Sequence, residues 1–145
     1  MNHDVKADTF PVDRTLDQAS PEDFDAVLLP GGVVNAYDLR VDPQAQSLGR
    51  AIDARGKPIA VTCHGSWLLV SAGLVNGRTL TSYPTIQDDI RNAGGRWLDR
   101  EVVEDRNWVS SRCPADLPAF NRTLLELFTA HKGARSGPKY VAARR

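Results

Sequence analysis

Two stretches of the chain are apolar without interruption. "DAVLLP" (25–30) and "KPIAVTC" (57–63) each run several apolar residues together, the pattern of a strand buried on both faces. Elsewhere the apolar positions recur at helical spacing. From Pro43 to Arg55, Ala45, Leu48, Ala51 and Ile52 share one side of a helix that Gly56 stops. "HGSWLLVSAGL" (64–74) reads as a helix begun directly after a strand. "PTIQDDIRNAGG" (84–95) opens on Pro and closes on Gly-Gly, the punctuation of another. The last helix, "PADLPAFNRTLLELFTAH" (114–131), carries Leu117, Phe120, Leu124, Leu127 and Phe128 on its apolar side.

The remaining segments read as extended chain or turns. "NGRTLTSY" (76–83) offers a turn and a strand, and "WLDREVVEDRNWVSSR" (97–112) two extended pieces about "EDRN". "DTFPVDRTL" (8–16) alternates enough to predict an edge strand with Pro11 at its margin. Ser20 caps a short acidic turn that has Pro21 at its first position. Continuous apolar strands alternating with helices predict an α/β fold with a mostly parallel sheet covered on both faces. Ligands of such sheets gather at the carboxyl ends of the strands. The two strongest strands end at Gly31-Gly32 and at Cys63, so both endings belong to one edge.

A length of 145 residues suits one domain, placed at 8–130, and 41% hydrophobic residues suit a globular one. The tail 131–145 holds five Lys or Arg and no acid, broken by Gly and Pro, and is expected to be solvated and disordered. Eighteen basic residues balance eighteen acidic ones, which gives no reason to expect nucleic acid or a membrane as partner. No apolar run is long enough to span a bilayer, and the start lacks the form of a secretory signal. Two cysteines, Cys63 and Cys113, make neither a disulfide framework nor a zinc pattern. A cytoplasmic protein with free thiols is expected. The adjacent acids Asp88 and Asp89 diverge on a helix and make no metal site. With no phosphate loop, dinucleotide fingerprint or metal cluster, no cofactor and no metal are expected.

The junction "TCHG" (62–65) carries the chemistry. A strand followed at once by a tight turn and a helix lifts the turn residue above the sheet edge, the geometry of a nucleophile elbow. Here that residue is Cys63, beside a helix start whose unpaired N–H groups favour an anion. His64 stands next to it as a candidate base. Gly65 removes a clashing side chain from the turn, and Gly31 and Gly32 let backbone N–H groups approach an oxyanion. The plainer reading is a small inert core cysteine, an ordinary Gly-Gly turn and a helix-start histidine. Both readings stand on these residues alone.

These same residues carry a resemblance. "FDAVLLPGG" (24–32), "GKPIAVTCHGSWLLVSAGLVNGRTLTSYPTIQDDIRNAGG" (56–95) and "VVEDRNWVSSRCPADLPAFN" (102–121) resemble the PfpI family of the DJ-one/PfpI superfamily, relatives of class I glutamine amidotransferase domains. The resemblance implies a flavodoxin-like three-layer sandwich, Cys63 as nucleophile with His64 beside it, and backbone N–H groups at Gly32 and His64 as oxyanion donors. It implies a small carbonyl or peptide substrate, in peptidase, glyoxalase or deglycase chemistry linked to stress, and a homo-oligomer. A weakened relative serving as a redox-sensing or oligomer-forming stress protein is the alternative, and a binding module using the sheet edge is a third.

Three departures from the family pattern matter. The family's opening strand, helix and strand are not found before "DTFPVDRTL", so the fold is expected to be truncated at its N-terminal side. With them goes a central strand, whose neighbours would both be left bare, and a glutamate that meets the cysteine. The glutamate that some members carry shortly after Pro-Gly-Gly has no counterpart; Ala36 stands near that place, with Asp38 two residues on as a candidate acid. Ser66 replaces a common proline. Cys113, in a loop that the resemblance puts near the same edge, is a candidate second thiol that could resolve an oxidised Cys63, or simply a small loop residue. Trp67 and Trp97 are read as packing residues, and Tyr83 as one that could reach the pocket.

Overall fold

The computed structural model describes residues 5–133. In chain order the elements are β1 (Val27–Leu29), α1 (Val33–Arg40), α2 (Pro43–Ala54), β2 (Ile59–Thr62), α3 (Ser66–Ser71), β3 (Thr79–Leu80), α4 (Gln87–Asn92), β4 (Arg96–Trp97), β5 (Val102–Asp105), β6 (Trp108–Ser111) and α5 (Leu117–Gly133). The main sheet runs β1-β2-β6-β5, parallel except for the β5–β6 hairpin. A short parallel pair, β3–β4, lies beside it. Two bonds tie that pair in: the Thr79 N–H donates to Asp105 Oδ2 at 2.8 Å and the Thr81 N–H to Ser110 Oγ at 2.9 Å.

The continuous apolar runs have the expected cause. Ile59, Ala60 and Val61 are all 0% exposed, because the sheet is covered on both sides. Ile59 and Val61 join Leu29, Ile52, Leu68, Leu69, Ile90 and Trp108 in one core. Ala60 and Val109 face the other way, against Phe120 and Leu124 of α5. The result is the expected mixed α/β sandwich, with α1–α4 on one side and α5 on the other. α2 starts where Asp42 Oδ1 accepts from the Gln44 and Ala45 N–H groups, with Pro43 in the first turn. The last helix continues to Gly133, into the segment read as tail; the expectation for 134–145 lies outside the described residues.

Two expectations need correction. "DTFPVDRTL" is no strand: it is irregular up to a single 3₁₀ turn at Leu16–Gln18, with Phe10 and Val12 exposed. Alternation alone does not make a strand when no neighbour supplies the ladder bonds. The expected bare gap inside the sheet is also absent. β1 pairs directly with β2, Leu29 opposite Val61, so the strands are continuous and, among the described residues, β1 is an edge with one open side. Consecutive strands joined by a helical crossover settle side by side, which is what β1, α1, α2 and β2 do.

Buried cations secure the amino end of the sheet. Lys57, 2% exposed, donates from Nζ to the Pro21 and Phe24 carbonyls, both at 2.7 Å. Arg78 lies 3.9 Å over the Trp108 ring, donates to Asn107 Oδ1 at 2.8 Å and pairs with Asp105 at 3.4 Å and Asp53 at 3.9 Å. These contacts fix the strands whose far ends carry the chemistry.

Candidate active site

At the carboxyl end of β2 the backbone turns sharply. Cys63 has φ +59°, in the left-handed region that a side-chain-bearing residue enters at a cost on the order of 1–3 kcal/mol. Several contacts hold it there. The Tyr83 N–H donates to the Cys63 carbonyl at 3.1 Å. Thr62 and Ser111, register partners on β2 and β6, join hydroxyls at 2.7 Å just before the turn.

Glycines make the turn possible. A Cβ on Gly31 would stand 2.7 Å from Cys63 Cβ and 3.4 Å from Sγ. One on Gly65 would meet the Pro30 carbonyl at 2.9 Å and that of Leu29 at 3.0 Å. The end of β1 therefore rests directly on the Cys63–Gly65 turn. Gly32, at φ +92°, starts α1 in a conformation that suits glycine.

His64 points its Nδ1 at Cys63 Sγ, 3.2 Å away. Its ring stacks on Tyr83 with centroids 4.7 Å apart and meets Trp67 edge-on at 5.3 Å. Burial pushes the imidazole pKa below its ordinary 6.5, because the charged ring would lose its hydration. Burial thus favours the neutral ring, the form able to take a thiol proton. Trp67 donates from Nε1 to Asp89 at 2.7 Å, and the Arg40 guanidinium lies 4.9 Å over its ring. Beside them Ser66 Oγ is buried without a hydrogen-bond partner among the described residues.

Gly31, Cys63, His64 and Gly65 thus come together at one point. Asp38 sits on half-buried α1, two residues past the buried Ala36. That places it about 200° around the helix from Ala36. Cys113 leaves the same sheet edge two residues after Ser111, as a half-buried free thiol. Asp116, three residues on, is held below the usual carboxylate range chiefly by Arg112, bonded to it at 2.9 and 3.0 Å. Trp67, read as packing, and Arg40, unremarked in the sequence, both belong to the surroundings of His64. The spacing of His64, Trp67 and Ser71, three and four residues apart, was the signal that they share one helical side. Among the described residues no group of three or more His, Cys, Asp or Glu could hold a metal ion, and no helix is long and apolar enough to cross a membrane.

Comparison with known proteins agrees with this architecture. The sequence model of the DJ-1/PfpI family matches residues 2–127. Deglycase PH1704 of Pyrococcus horikoshii is 51% identical over 116 residues, covering 80% of this chain and 69% of that protein. Protein/nucleic acid deglycase 2 of Escherichia coli is 45% identical over 120 residues, covering 82% and 69%. Among solved structures, a two-domain protein from Anabaena variabilis with DJ-1/ThiJ/PfpI-like and ferritin-like domains superposes with a TM-score of 0.76 at 32% identity. That match covers 89% of this chain and 36% of the two-domain protein.

Proposed function

The chain belongs to the DJ-1/PfpI family, and from that premise we propose that it is a cysteine-dependent enzyme of the deglycase or glyoxalase type, with Cys63 attacking a carbonyl carbon. The observation that carries this reading is the pairing of Cys63 Sγ with His64 Nδ1 at 3.2 Å on a left-handed elbow. An inert core cysteine would need neither the strained backbone nor the glycine cleared against its side chain.

In this reading the thiol proton passes to Nδ1 as sulfur adds to the carbonyl carbon. The C–S bond forms while the C=O π pair moves onto oxygen, and the Gly32 and His64 N–H groups hold the oxyanion. With an aldehyde, the imidazolium then returns the proton to that oxygen, leaving a thiohemiacetal on Cys63. The addition itself is common to methylglyoxal-type dicarbonyls and to the carbonyl of a peptide; the two chemistries differ in the later fate of the adduct. The two relatives named deglycases favour the former. Asp38 remains the candidate acid of this reading. A homo-oligomer is part of the same proposal, supported by Val34, Tyr37 and Val41, which are 59%, 66% and 71% exposed along and just after α1.

Consumption of methylglyoxal and release of methylglyoxal-modified amines, measured for the wild type and Cys63→Ala, test it. Cys63-dependent turnover supports the reading. Hydrolysis of unmodified peptides with no action on methylglyoxal would move the protein to the peptidase chemistry of the family.

A further inference from the structure

A guanidinium stands over Trp67, the residue whose ring meets His64 edge-on, and the mechanism above does not use it. Arg40 ends α1, and its Nε donates to Ser71 Oγ at 3.0 Å. Its guanidinium carbon lies 4.9 Å over the Trp67 ring, and Trp67 in turn meets the His64 ring at 5.3 Å. His64, Trp67 and Ser71 succeed one another along the same side of the turn and α3, about 1.5 Å per residue. Arg40 therefore reaches the site through Trp67, which lies between the guanidinium and the His64 ring. The Arg40 main-chain carbonyl is taken by Gln46 Nε2 at 2.7 Å, which anchors the residue from behind.

Among the described residues, Nη1 and Nη2 of Arg40 have no hydrogen-bond partner. Arginine on the protein surface often leaves donors to water. This one differs in being half-buried and fixed at two points, by a hydroxyl on Nε and by an aromatic face beneath. Both constraints hold the planar fork in place, so little side-chain entropy is left to lose when it binds. A fixed fork with two free terminal nitrogens matches a planar acceptor with two oxygens. The nearby carboxylate of Asp89 is held by Trp67 Nε1 and is not among Arg40's partners.

We propose that Arg40 is a specificity-determining residue, its guanidinium fork receiving a carboxylate of the substrate while Cys63 engages the substrate's carbonyl. The substrate class is a carbonyl compound with an acid group a few bonds from the reacting carbon. This rests on Cys63 being the nucleophile; the role of Trp67 is to support the fork and set its distance from the sulfur.

The test uses two nearly isosteric thiol reagents, so that it does not require the natural substrate. N-ethylmaleimide is neutral, whereas 3-maleimidopropionate carries a carboxylate several bonds from the alkene carbon that the thiolate attacks. Modification rates at Cys63 are measured by peptide mass mapping, for the wild type, Arg40→Gln, Arg40→Lys and Ser71→Ala. Arg40→Gln is expected to slow 3-maleimidopropionate by about tenfold, the scale of one charge-assisted bidentate contact in part solvated. N-ethylmaleimide should stay within about twofold, since it never meets the fork. Arg40→Lys should restore only part of the preference, and Ser71→Ala should weaken it without removing charge. Equal slowing of both reagents in Arg40→Gln and Ser71→Ala would make Arg40 a prop for the elbow and overturn the proposal. Unchanged rates with both would overturn it too, while leaving Cys63 as the nucleophile. A Cys63 inert to N-ethylmaleimide in the wild type would instead remove the nucleophile itself, and this proposal with it.

Discussion

Gly31 and Cys63 are in contact in a way that leaves no room for a side chain on Gly31: a Cβ there would lie 2.7 Å from Cys63 Cβ. The obstacle is the root of the Cys63 side chain, so neither a rotamer change nor a flexible tip can relieve it. The end of β1 thus sets where the end of β2 can hold its sulfur.

Gly31→Ala should therefore harm chemistry more than folding. Overpacking of this kind typically costs about 1–3 kcal/mol, which a urea melt will show. A shift of the sulfur by about an ångström can cost about a hundredfold in rate. Steady-state kcat/KM falling far more than the stability loss explains is the expected outcome. Full activity in a stably folded Gly31→Ala variant would mean that β1 does not position the thiol.

Much of this arrangement was legible in the sequence. β1 and β2 announced themselves as continuous apolar runs, and Cys63 stood out at the point where a strand pattern gave way to a helix pattern. α1 was not anticipated, because "VVNAYDLR" mixes apolar and polar residues around its whole circumference and buries only Ala36. The segment 8–16 misled in the opposite direction, since its alternation had no partner strand to serve. Arg78 and Lys57 escaped notice because isolated charged residues default to the surface, and their burial depends on partners distant in sequence: Asp105, Asn107, Pro21 and Phe24. For the same reason the cluster of Arg40, Trp67 and Tyr83 around His64 emerges only once three segments are folded together.

His64 should impose an acid limb on activity. Its burial lowers the pKa below 6.5, so the neutral base persists to more acidic pH than a solvated histidine would allow. The kcat/KM profile of the free enzyme should fall with an apparent pKa below 6.5. The same depression bears on stability. In the unfolded chain the ring gains its proton near 6.5, so the stability present above that pH is lost as pH falls through it toward the folded value. His64→Ala should reduce kcat/KM by about a hundredfold or more and remove the limb. A limb above 6.5, or one that survives in His64→Ala, would assign the titration elsewhere.

Arg78 should matter for folding and little for the site's chemistry. With its side chain 8% exposed and the carboxylates of Asp53 and Asp105 beside it, Arg78→Ala would leave the partly buried Asp53 without its cation and Asp105 with only the exposed Arg106. A loss of about 3 kcal/mol or more is expected, read from chemical denaturation. Replacing Asp53 with Asn in the same background should recover part of it, because one orphaned charge is removed. A loss below about 1 kcal/mol would place the pair among solvent-screened surface contacts.

The most direct test of the central claim is turnover of methylglyoxal by Cys63→Ala beside Cys113→Ala, with both variants checked for folding by thermal melts. Removal of the attacking sulfur should cut the rate by about a thousandfold or more, while Cys113→Ala, which removes a half-buried thiol outside the Cys63–Gly65 turn, should stay within about twofold of wild type. Turnover in Cys63→Ala at the wild-type rate would contradict the account, because the elbow would then carry no chemistry.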